Sequence, residues 1–98
     1  MTVMYNRVAL IGLGLIASSM FWAMKRADVA GEVTGYARSS DTRDVAREIG
    51  LCDRVCDSAA DAVAGADLII LCVPIGVMAD VTREIAGMLK TGAVLTDV

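Results

Sequence analysis

Apolar positions along this chain come in short runs whose period keeps changing, and each change marks a new element. Asn6 to Ile11 closes on Val8–Ala9–Leu10–Ile11 with no polar interruption, the pattern of a strand covered on both faces. A helix over Leu15 to Ala27 is predicted next, then a turn at Asp28–Gly31 and a second strand over Glu32 to Tyr36. Past Arg38–Ser39, Ser40 or Asp41 is expected to cap a helix over Thr42 to Ile49, with Val45 and Ile49 four apart on one face. Gly50 and Leu51 read as the left-handed glycine and apolar partner that end it. A short third strand is expected near Arg54–Cys56, and Ser58 with Asp61 forms a capping box that opens a helix to about Ala64. Leu68 to Val73 is again unbroken, bounded by Asp67 and Pro74, and suits a central parallel strand. From Val77 the positions Val77, Val81, Ile85, Met88 and Leu89 recur at helical spacing as a core-facing stripe. Lys90–Gly92 ends that helix, and Ala93 to Thr96 starts a fifth strand.

Strands alternating with helices imply an α/β fold, a Rossmann-like doubly wound parallel sheet of about five strands in the order 3-2-1-4-5 with helices on both faces. At 98 residues the chain makes one domain, which buries roughly 60–70% of its unfolded surface. Its hydrophobic content of 56% and mean hydropathy of +0.61 fit strands covered on both faces.

The junction of the first strand and helix carries the chemistry. Gly12–Leu13–Gly14–Leu15–Ile16–Ala17 is a G-x-G-x-x-A turn between an apolar strand and a helical stretch, the arrangement that binds a dinucleotide. Gly12 lets the chain turn out of the strand, Gly14 leaves no Cβ between backbone and pyrophosphate, and small Ala17 lets the helix lie close to the strand. The Leu15 and Ile16 amides at the helix N-terminus face the anion. No Asp or Glu precedes Asp28, so this region lacks negative side chains.

Charge and cysteine usage exclude other classes. Nine basic against twelve acidic residues give −3, and the scattered Lys and Arg argue against nucleic acid. No apolar run reaches the ~20 residues of a membrane span, and no secretory pattern occurs, so a cytoplasmic protein is expected. Cys52, Cys56 and Cys72 show no metal-ligand pairing and the chain contains no histidine, so they read as buried thiols in a reducing compartment.

In order and spacing, four segments resemble the N-terminal nucleotide-binding domain of prephenate and arogenate (cyclohexadienyl) dehydrogenases. They are Gly12–Ser19, Gly35–Tyr36–Ala37–Arg38–Ser39, Ala66–Ile75 with its Cys72–Val73–Pro74, and Leu95–Thr96–Asp97–Val98. The family usually has a third glycine where Ala17 stands, and Phe21–Trp22 is bulkier than its usual pair. The resemblance implies oxidative decarboxylation of prephenate or arogenate, with hydride transfer to NAD or NADP. It also implies that Cys72, Val73 and Pro74 pass along the nicotinamide ribose, although Pro74 equally reads as a plain strand stop and helix start. The family's catalytic serine-lysine segment and histidine follow the position where this chain stops. No catalytic residue is therefore expected within it, nor turnover by these residues alone, and the helical substrate and dimerisation domain is expected outside it.

Preference between the cofactors should be set where the second strand ends. An NAD enzyme commonly places an acid there, but this chain has Ala37 followed by Arg38, Ser39 and Ser40. With no carboxylate to repel it, a 2′-phosphate would meet a guanidinium and two hydroxyls, which favours NADP over NAD. Other β-hydroxyacid dehydrogenases or imine reductases, a nucleotide-sensing domain, and a chain that only folds and dimerises are the competing readings.

Overall fold

Val8, Ala9, Leu10 and Ile11 are all buried, yet they serve two different cores, because successive side chains of a strand point to opposite faces. In the computed structural model, which describes residues 4–97, Val8 and Leu10 join one apolar cluster, and Ala9 and Ile11 join the other. The strand that carries them, β1 (Tyr5–Ile11), is the middle of a five-stranded sheet. The remaining strands are β2 (Ala30–Tyr36), β3 (Arg54–Val55), β4 (Leu68–Leu71) and β5 (Val94–Asp97). All pairings are parallel and the order is β3-β2-β1-β4-β5, as the alternation of periods predicts.

The helices α1 (Leu15–Ala27) and α2 (Ser40–Ile49) cover the first face, through Ala17, Phe21, Met24 and Ala46. The other face is covered by α3 (Ala59–Val63) and α4 (Ile75–Ile85), through Ala59, Ala62, Val63, Val81 and Ile85. Ala17 is fully buried, and a smaller side chain than its neighbours is what that close packing needs. Thr34, the buried polar residue of the core, donates its hydroxyl proton to the Ala62 carbonyl at 2.6 Å, so its own hydroxyl is not left unpaired.

Several local expectations shift by a residue or two. The cap of α2 is Ser39, whose Oγ accepts the Thr42 amide at 3.4 Å, and Ser40 already lies inside the helix. Ser58 caps α3 by accepting the Asp61 amide, and Gly50 ends α2 in the left-handed region with Leu51 buried behind it. Val45 and Ile49 are both more than half exposed, so the buried contact of α2 is Ala46. Helix α4 begins at Ile75, two residues early, because Pro74 can start a helix but cannot continue a strand ladder. A 3-10 turn over Ala86–Met88 follows α4, and Met88 is exposed. Val98, the last residue of the Thr96–Asp97–Val98 match, lies outside the described residues.

Asp67 fastens three strands at their amino ends. Its Oδ2 accepts the Asn6 and Arg7 amides at 2.9 and 3.0 Å, its Oδ1 meets the Lys90 ammonium, and its carbonyl accepts the Val94 amide. The Lys90 contact first, and then the Arg7 amide, holds this carboxyl below its ordinary 3.8. Because the folded value is the lower one, the stabilisation is in place above 3.8 and is lost as pH falls below it. An Asp67→Asn variant should melt below the parent at pH 7, and the gap between the two should narrow as pH falls below 3.8. Thermal melts followed by circular dichroism across that range check this; a gap independent of pH would refute it.

Candidate dinucleotide site

The carboxyl ends of β1, β2 and β4 open into one cavity of about 200 Å³, beside the point where neighbouring chain connections leave in opposite directions. Open α/β sheets bind ligands at such a point. Gly12, Ala37, Arg38, Val73 and Pro74, five of the residues singled out by sequence, line it.

Gly12 is held there by two constraints. Its φ is +96°, and a Cβ would lie 2.5 Å from the Cys72 carbonyl oxygen and 2.9 Å from a Val73 methyl. Its amide donates to the Tyr36 carbonyl at 2.8 Å, so this residue joins β1 to the ends of β2 and β4. Gly14 differs. It is the cap of α1 with an ordinary φ of −93°, and a Cβ built on it meets nothing within 4 Å. Nothing in the protein occupies the space beside Gly14, so the approach to the helix end is open.

That helix end has the properties an anion requires. The Leu15 and Ile16 amides start α1 and have no carbonyl one turn earlier to bond. The first turn contains no acid, and Lys25 and Arg26 occupy the last turn, so the positive end of the dipole is left uncompensated by side chains. Leu15 and Ile16 expose their side chains, while the Leu13 side chain turns into the first core, against Gly35. Leu13 can therefore offer a ligand only its backbone. A Cβ on Gly35 would in turn press Leu13 and Cys52, which explains the glycine inside β2.

Cys72 sits behind the Gly12 turn and outside the cavity lining. Its amide donates to the Ile11 carbonyl at 2.7 Å and its carbonyl backs Gly12. Burial pushes its thiol up, as it does for Cys56, and takes Cys52 up to about 12, so all three remain neutral thiols. Ser39 and Ser40 also lie outside the lining, with the Ser39 hydroxyl engaged as a helix cap.

The end of β2 holds what sequence reasoning missed. Arg43 donates from Nη1 to the Ala37 carbonyl at 2.6 Å and to the Arg38 carbonyl at 2.9 Å, and its guanidinium lies 5.6 Å from the Tyr36 ring centre. One side chain thus fixes the backbone of the segment that should read the ribose. A carboxylate is also present, contrary to expectation. Glu84 reaches the cavity from α4, with Oε2 3.9 Å from Arg38 Nη2. Val77 and Val81, expected as core stripe alone, line the cavity as well. Arg38 and Glu84 are 46 positions apart, and no local signal could have paired them.

The model of the family described as "Prephenate dehydrogenase, nucleotide-binding domain" matches residues 22–98, beginning inside α1 after the glycine turn. The cyclohexadienyl dehydrogenase of Zymomonas mobilis subsp. mobilis is 42% identical over 93 residues, covering 95% of this chain and 32% of that protein. The prephenate dehydrogenase of Lactococcus lactis subsp. cremoris is 37% identical over 96 residues, covering 94% and 26%. The chain therefore spans about a third or less of the curated relatives it matches. Among solved structures, the Synechocystis arogenate dehydrogenase superposes with a TM-score of 0.81 at 28% identity, over 94% of this chain and 32% of the other. The A. aeolicus prephenate dehydrogenase, solved with hydroxyphenyl propionate and NAD+, gives 0.83 at 21% identity over 94% and 32%, a likeness of fold.

Proposed function

Because this chain belongs to the family of prephenate dehydrogenase nucleotide-binding domains, we propose that it is the cofactor-holding part of an NAD(P)-dependent enzyme that oxidatively decarboxylates prephenate or arogenate. The observation that carries this reading is the division between the two glycines. Gly12 is required by the protein around it, whereas a side chain at Gly14 would meet nothing in the protein and would reach only into the space we assign to the pyrophosphate. Gly14 and the Leu15 and Ile16 amides hold the pyrophosphate, with Ala17 keeping the helix close. Val73 and Pro74 border the nicotinamide ribose, and Cys72 supports them through its backbone. The bound nicotinamide supplies the hydride acceptor, and this chain contributes position and electrostatics. We assign the group that takes the substrate's proton to the part of the enzyme outside this chain, which spans 32% of its Zymomonas relative.

The whole enzyme works in the cytoplasm as a homodimer on a small-molecule substrate, without nucleic acid or membrane. No helix among the described residues is long and apolar enough to cross a membrane, and Cys52, Cys56 and Cys72 are free thiols.

NADP is favoured over NAD through Arg38, supported by the alanine at the usual acid position and by Arg43, which fixes the Arg38 backbone. The Arg38–Glu84 pair is 3.9 Å long with both side chains about half exposed, too weak to keep the guanidinium from a phosphate. Arg38→Ala should weaken NADP binding about tenfold, the low end of a charge-assisted bond, and leave NAD binding within about twofold. Calorimetric titration of both cofactors at one salt concentration measures the two changes. Equal losses would remove the phosphate role.

A further inference from the structure

Glu84 is the one carboxylate among the side chains lining the cavity. Building on the dinucleotide reading above, we propose that Glu84 is a specificity-determining residue for the base, accepting the 6-amino group of adenine and rejecting a 6-oxo purine.

The cavity is sized for one part of a dinucleotide. Its volume of about 200 Å³ is below the ~300–1,000 Å³ of pockets that enclose a whole drug-sized ligand, so it holds only part of a dinucleotide, and the phosphates continue towards the end of α1. The walls from β1, α3 and α4 are apolar, with Ile11, Ala59, Val77 and Val81, and suit the faces of a flat ring. The polar side chains of the lining are Tyr36, Arg38 and Glu84.

Of these, Glu84 alone is acceptor-only, as Arg38 is donor-only and the Tyr36 hydroxyl can do both. An ionised carboxylate can only accept, so it pairs with a ring amino group and repels a ring carbonyl. Its separation from Arg38 is beyond hydrogen-bond range, and its acceptor sites stay available. The adjacent Ile85 is fully buried and Val81 nearly so, which anchors this stretch of α4 and fixes where the carboxylate can reach. Arg38, directly opposite, is left for the sugar and its phosphate.

Titrating the protein with NAD and with nicotinamide hypoxanthine dinucleotide, whose base carries oxygen in place of the amino group, tests the assignment. The parent should prefer NAD by about tenfold, a modest ratio because Glu84 is half exposed. In Glu84→Gln the ratio should shrink to within about twofold, since an amide can donate as well as accept, and the melting temperature should stay close to the parent's. Equal affinities in the parent, or a ratio that survives the substitution, would overturn the role of Glu84 while leaving dinucleotide binding intact. Absence of NAD binding in the parent would overturn both readings together.

Discussion

Replacing Gly14 with valine should cost the protein its dinucleotide and very little else. At Gly14 the backbone has φ −93° and ψ −162°, an extended conformation open to β-branched residues, and the Cβ direction is empty for 4 Å. The change in fold stability is then the small difference between glycine and valine as a helix cap, about 1 kcal/mol or less. Binding is affected far more, because the new methyls occupy the approach to the Leu15 and Ile16 amides. Two hydrogen bonds to a charged phosphate are lost, on the order of 3 kcal/mol or more, so affinity for both NAD and NADP should fall at least about a hundredfold. Fluorescence or calorimetric titration alongside a thermal melt separates the two effects. A valine variant that binds as the parent does would show that the pyrophosphate lies elsewhere.

The neighbouring glycine should behave in the opposite way. Gly12→Ala puts a methyl 2.5 Å from the Cys72 carbonyl oxygen at a φ of +96°, so the substitution is strained in backbone and packing together. The nearer contact, with the Cys72 carbonyl oxygen, is with backbone and cannot swing aside. The Cys72 carbonyl belongs to the backbone immediately after β4, and Val73 lines the cavity. A destabilisation of about 3 kcal/mol is expected, and in a domain of this size the melting temperature should drop by more than about 10 °C. Circular dichroism melts of Gly12→Ala beside Gly14→Ala check this. Similar melting temperatures for the two would mean that Gly12 is not the hinge between strand and turn.

How far these features were legible in the sequence follows from the distance over which each is decided. The bounds of α1, Leu15–Ala27, were readable because a glycine turn starts it and Asp28 in the left-handed region follows its last residue. The Ser58 cap and the αL glycine at Gly50 were equally readable, being hydrogen bonds within a few residues. The cap of α2 was misplaced by one because Ser39, Ser40 and Asp41 are all competent acceptors; the direction of the chain leaving β2 selects Ser39. The same limit applies to the apolar stripes. Val45 and Ile49 share a helix face, yet α2 packs on Ala46, while Val77 and Val81 face the cavity as well as the core.

The sequence by itself therefore determined the order of elements, the parallel sheet and the glycine turn, because hydrophobic period, capping and φ preference act on neighbours along the chain. Tertiary structure alone decided that Gly12 must be glycine on account of Cys72, that Arg43 steadies the backbone of Arg38, and that a carboxylate from α4 faces the end of β2. Each of these depends on how helices settle on the two faces of the sheet. An apolar run reports how deeply a segment is buried and says nothing of which distant side chain will lie across from it.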